Sequence, residues 1–120
     1  MKYILVADDE EINRDLIVNI LEDDYELSCV TDGIECLKSI EERLPDLLLL
    51  DVGMPNMDGI EVCKRLRAME QTKNLPIYLV SGYAAQDNIE DGLNVGADKY
   101  ITKPFTPREL LDLLRNFFSS

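Results

Sequence analysis

The feature that most limits how this chain can fold is a repeated alternation. Short apolar runs trade places with stretches whose apolar residues recur at helical spacing. The runs cover residues 3–7, 27–30, 47–50, 77–80 and 100–101. Those at 3–7, 47–50 and 77–80 are continuous, the pattern of central strands covered on both faces. Between and after them come Ile12, Leu16, Ile20; Ile34, Leu37, Ile40, Leu44; Ile60, Cys63, Leu66; Ile89, Leu93; and Leu110, Leu113, Leu114, Phe117. Each set predicts an amphipathic helix. Asp32, Asp87 and Thr106 each stand three residues ahead of a glutamate, and Pro107 occupies a first helical position; all are helix-start signals. Pro45 and Pro76 end helices just before strands. Five strand-then-helix units predict an α/β domain over residues 1–120, with a parallel sheet, helices on both faces and right-handed crossovers.

Charge narrows the functional classes. Acidic residues outnumber basic ones 24 to 12, for a net charge of −12, which disfavours binding to nucleic acid and to anionic membrane surfaces. No apolar run approaches the roughly 20 residues needed to span a bilayer. The apolar start turns acidic at Asp8, too early for a secretory signal. Cys29, Cys36 and Cys63 lie within apolar patterns and are expected as free, buried thiols, which fits a cytoplasmic protein. Histidine is absent, so imidazole serves neither as base nor as metal ligand.

Open parallel sheets bind ligands outside the carboxyl ends of their strands, where the strand order reverses. Those ends carry Asp8-Asp9, then Asp51, then Ser81-Gly82, then Lys103-Pro104. Three carboxylates and one ammonium group are therefore expected around one crevice. Acids make up one residue in five, so three specified acidic positions would coincide by chance about one time in a hundred. Carboxylates so close together repel unless a cation sits among them. Hard oxygen donors without histidine select Mg²⁺, or Mn²⁺, over zinc. An aspartate carboxylate can attack phosphorus directly, and phosphoryl transfer needs positioning and charge neutralisation above all. Lys103 suits one phosphoryl oxygen and the Ser81 hydroxyl another. Asp58-Gly59 reads as turn and helix-start chemistry instead.

The segments Val6-Ala7-Asp8-Asp9-Glu10, Leu50-Asp51-Val52-Gly53-Met54-Pro55, Val80-Ser81-Gly82 and Gly96-Ala97-Asp98-Lys99-Tyr100-Ile101-Thr102-Lys103-Pro104-Phe105 together resemble the receiver domain of two-component response regulators, of the chemotaxis-regulator-like kind. The resemblance implies a flavodoxin-like (βα)5 fold with strand order 2-1-3-4-5. It implies that Asp51 is the phosphoacceptor and that Asp9 and Asp51 ligate Mg²⁺ directly. Asp8 would act through water, and the Gly53 carbonyl would be a further ligand. Ser81 and Tyr100 match the hydroxyl and the aromatic residue that switch together, and the Lys103–Pro104 bond is expected to be cis. The implied partners are a sensor histidine kinase or histidine phosphotransfer protein upstream and an output protein or domain downstream. The output is read from a surface near 89–95, Tyr100 and 110–118. The implied catalysis is limited to the domain's own phosphotransfer and autodephosphorylation. Gly53 leaves no side chain over the phosphoryl group, whereas Tyr83 is expected to shield it from water.

Three other functions compete. An FMN-binding protein can share such a sheet, but Asp8-Asp9-Glu10-Glu11 would repel the flavin phosphate. A Mg²⁺-dependent phosphatase with an aspartyl nucleophile carries that residue on its first strand, with an acid two residues later; Asp51 is followed at that offset by Gly53. A phosphorylation-independent adaptor of the same fold would not need the full set of groups.

Overall fold

Each of the five apolar runs becomes a strand. The computed structural model describes residues 1–82, 90 and 92–119. Strands β1 (Tyr3–Ala7), β2 (Glu26–Val30), β3 (Leu47–Asp51), β4 (Ile77–Ser81) and β5 (Lys99–Thr102) form one parallel sheet in the order β2-β1-β3-β4-β5. Helices α1 (Glu11–Leu21), α2 (Gly33–Glu42), α3 (Gly59–Arg67) and a final helix, Pro107–Ser119, cover its two faces. This is the flavodoxin-like arrangement. The predicted helix start at Asp87 and the shielding residue Tyr83 lie outside the described residues.

β1, β3 and β4 are buried along their whole length, as their uninterrupted apolar runs require. Alternate side chains divide between two cores. Leu5, Leu48, Leu50, Ile77 and Leu79 meet Cys36 and Ile40 of α2 and Val62, Cys63 and Leu66 of α3. Ile4, Val6, Leu47, Leu49, Tyr78 and Val80 meet Ile17 and Leu21 of α1 and Leu110 and Leu114 of the final helix. Each such leucine or isoleucine contributes roughly 2 kcal/mol by leaving water.

Caps fix where the helices begin. Asp32 accepts the Glu35 N–H at 2.8 Å, Asp58 accepts that of Glu61 at 2.9 Å, and the Thr106 hydroxyl accepts that of Glu109 at 3.1 Å. These side chains satisfy amides that the first helical turn leaves without partners.

Three expectations need correction. α3 ends at Arg67, well short of Pro76, so Pro76 precedes β4 but ends no helix. Cys36 and Cys63 are buried and free, but Cys29 is exposed, because β2 is an edge strand and most of its residues lack cover. The α1 stripe is also displaced. Ile12 is 81% exposed and Leu16 43%, while Ile17 and Leu21 face the core. The apolar residues of α1 continue around the helix beyond its inward face, so two overlapping stripes share the same spacing.

Candidate functional site

Strand register assembles the site. Ala7 pairs with Leu50, so Asp8 and Asp51, the next residues, leave their strands at the same rim. Asp51 pairs with Val80, which puts Ser81 one step beyond it, and Ser81 pairs with Thr102. Lys103 follows immediately, its N–H donating to the Ser81 carbonyl at 2.8 Å. The Lys103–Pro104 peptide is cis, as expected.

The Lys103 ammonium lies 3.3 Å from Asp8 Oδ2 and 3.6 Å from Asp51 Oδ1. Both carboxylates are sunk in the rim, with Asp8 2% and Asp51 7% exposed, and Ser81 is buried beside them. The Glu10 N–H donates to Asp8 Oδ1 at 2.9 Å, and Arg14 Nη1 donates to the Asp8 carbonyl at 2.9 Å. One ammonium thus faces two buried carboxylates, with Asp9 near by. The Asp51 carboxyl is pushed above its ordinary range, chiefly by burial. Lys103 pulls it down and Asp8 up; a hydrogen bond from the Gly53 N–H lowers it, and Asp9 adds a further rise.

The donor set suits a hard cation. Carboxylate oxygens of Asp8, Asp9 and Glu10 lie within 4.8 Å of one another, and Asp51 adds a further carboxylate held through the same lysine. Oxygen donors with excess negative charge match Mg²⁺ or Mn²⁺. Glu10 was not among the residues expected from sequence to ligate; its signal is simply a third consecutive acid after β1. Gly53 sits exposed in the turn after Asp51. Gly59 opens α3 with its N–H donating to the Val52 carbonyl at 3.0 Å. A Cβ at Gly59 would collide with the Asp51 carbonyl oxygen, so glycine lets the helix abut the strand end. Tyr100 pairs in register with Leu79, two residues short of the rim. Its half-buried ring packs on the α2–α3 core, close enough that a Cβ at Gly92 would lie 2.9 Å from Tyr100 Cδ2. Asp8, Asp51, Ser81 and Lys103 therefore meet at one rim with Asp9 beside them, and Tyr100 stands below. Among the described residues, no helix is long and apolar enough to cross a membrane.

The chain is similar in sequence and fold to known proteins. Residues 4–115 match the family described as "Response regulator receiver domain". The chain is 44% identical over 110 residues to the alkaline phosphatase synthesis transcriptional regulatory protein PhoP of Bacillus subtilis (strain 168), covering 91% of this chain and 45% of that protein. It spans about half the length of the first curated relatives it matches. Among solved structures, chemotaxis protein CheY4 of Vibrio cholerae superposes with a TM-score of 0.90 at 32% identity, covering 97% of this chain and 98% of the other. The receiver domain of sensor histidine kinase PA1611 from Pseudomonas aeruginosa PAO1, solved with a magnesium ion coordinated in its active-site cleft, gives 0.90 at 31% identity, covering 99% and 98%.

Proposed function

Because this chain belongs to the response regulator receiver domain family, whose role is phosphorylation-activated signalling in two-component systems, we propose that Asp51 accepts the phosphoryl group and that residues 1–120 act as one receiver domain. The observation that carries this reading is the Lys103 ammonium held between Asp8 and Asp51 at 3.3 and 3.6 Å. A buried carboxylate beside a fixed cation can take on a phosphoryl group whose charge already has a partner.

In the proposed reaction, an Asp51 oxygen attacks phosphorus as the donor's phosphorus–nitrogen bond breaks, and the electron pair stays on the donor imidazole. The donor is a phosphohistidine on a sensor kinase or a phosphotransfer protein, since this chain has no histidine. Lys103 neutralises one phosphoryl oxygen and the Ser81 hydroxyl hydrogen-bonds another. Asp8 and Asp9, with Asp51 and the Gly53 carbonyl, are assigned to Mg²⁺. When bound, the ion supplies charge neutralisation among the carboxylates and on the phosphoryl oxygens. Ser81 drawn toward the phosphoryl group and Tyr100 turned inward then define the active state. Its readers are an output protein or domain that recognises the surface around 92–95, Tyr100 and 110–118. The cytoplasm is the compartment proposed, and self-dephosphorylation the only other catalysis.

Incubation with acetyl phosphate and Mg²⁺, followed by intact-mass measurement, tests this. Wild type should gain one phosphoryl mass, and Asp51→Asn none. Equal labelling of the two proteins would refute the assignment. Multiple turnover of a general phosphomonoester would instead favour the aspartyl phosphatase.

A further inference from the structure

We propose that Arg67 is a positioning residue that makes α3 a relay, carrying a change at Asp51 to the amino-terminal ends of β4 and β5 on the far side of the sheet. The inference rests on Asp51 being the group whose occupancy changes.

Arg67 is the last residue of α3, and its side chain is only 18% exposed. Its guanidinium binds two separate stretches of chain, 72–75 and 96–98. Nη1 donates to the Leu75 carbonyl at 2.7 Å and the Thr72 carbonyl at 3.2 Å. Nε donates to the Gly96 carbonyl at 2.8 Å, and Nη2 meets Asp98 Oδ2 at 3.1 Å. That same carboxylate oxygen accepts the Ile77 N–H at 2.8 Å, and the Asp98 N–H returns a bond to the Ile77 carbonyl at 2.8 Å. Asp98 is the residue before β5, and Ile77 opens β4. Gly96, with φ of 102°, lets the chain pass against the arginine stem; a Cβ there would lie 2.9 Å from Arg67 Cγ. The planar fork of arginine serves such divergent acceptors, whereas a lysine ammonium is a single point.

The other end of α3 has no slack either. The Gly59 N–H donates to the Val52 carbonyl, and a Cβ at Gly59 would collide with the Asp51 carbonyl oxygen. Between the two ends runs a stiff helix about 13 Å long, whose Val62, Cys63 and Leu66 are buried in the core. A shift of the backbone at Asp51 therefore moves α3 as a body, and Arg67 takes the strand bases with it.

The test follows backbone amide resonances of ¹⁵N-labelled protein as Mg²⁺ and beryllofluoride, a mimic of the aspartyl phosphate, are added. In wild type, amides at the site (Val52, Gly53) and at the base (Ile77, Asp98, Lys99) are expected to shift together. In Arg67→Lys, the site amides should shift as before while the base shifts fall at least threefold. Asp98→Asn, which keeps the shape and the Ile77 bond but removes the ion pair, should give a smaller loss in the same direction and remains available if Arg67→Lys does not fold. Base shifts of wild-type size in either folded variant would overturn the relay, as would wild-type site shifts without base shifts. Wild-type protein whose site amides ignore the mimic would overturn the phosphoacceptor reading, and the relay with it.

Discussion

At Asp51, burial and neighbouring carboxylates act against ionisation, and Lys103 acts for it. The folded carboxyl therefore holds its proton to higher pH than the unfolded one. A group with a raised folded value weakens the fold as pH climbs from its unfolded to its folded pKa, and the loss is complete above both. In chelator at neutral pH, Asp51→Asn should thus stabilise the protein and raise its melting temperature. An unchanged or lower value would contradict this account. Lys103→Met removes the cation that faces both acids. Acetyl phosphate labelling should slow by about 100-fold, the usual scale for losing one preorganised charge partner, and rates within threefold of wild type would count against it. Most of these residues were legible because each stands at a strand end and carries a charge. Arg67 was not, since most of its partners are main-chain carbonyls, which leave no trace in the residue types.

Among the elements, the strands were the plainest to read. Continuous runs at 3–7, 47–50 and 77–80 became buried central strands, and the capping residues Asp32 and Thr106 begin helices as expected. Faces were harder. Ile12 and Leu16 keep helical spacing yet point outward, because spacing alone does not say which of two adjoining stripes meets the sheet. Cys29 was misjudged for the related reason that an apolar neighbourhood does not reveal an edge strand. The caps supply a direct check on helix energetics. Asp32→Ala should lower the unfolding free energy in urea by about 1 kcal/mol, with no change in the slope against denaturant. A loss under 0.3 kcal/mol (roughly) would mean that the turn holds without the side chain.

For the molecule as a whole, the strand order 2-1-3-4-5 came from resemblance; alternation of strands and helices alone leaves several orders open. That order puts β3 in the centre of the sheet, where Leu49 belongs to the core against α1 and the final helix and Leu48 and Leu50 to the core against α2 and α3. Leu48→Ala should therefore cost about 3 kcal/mol, measurable by urea unfolding. The net charge of −12 acts at the same scale. Raising sodium chloride from about 10 to 500 mM should increase the melting temperature, because screening relieves self-repulsion; a decrease would show that local ion pairs outweigh it.

The clasp between Lys103 and Asp8 joins positions 95 residues apart. A ribosome must deliver nearly all of this sequence before that lysine can reach its acids, and a chain stopped after β4 lacks it altogether. On the proposed role of Lys103, truncated or half-made copies lack the cation that faces both acids, and full readiness for the phosphoryl group arrives only with completion of the sheet.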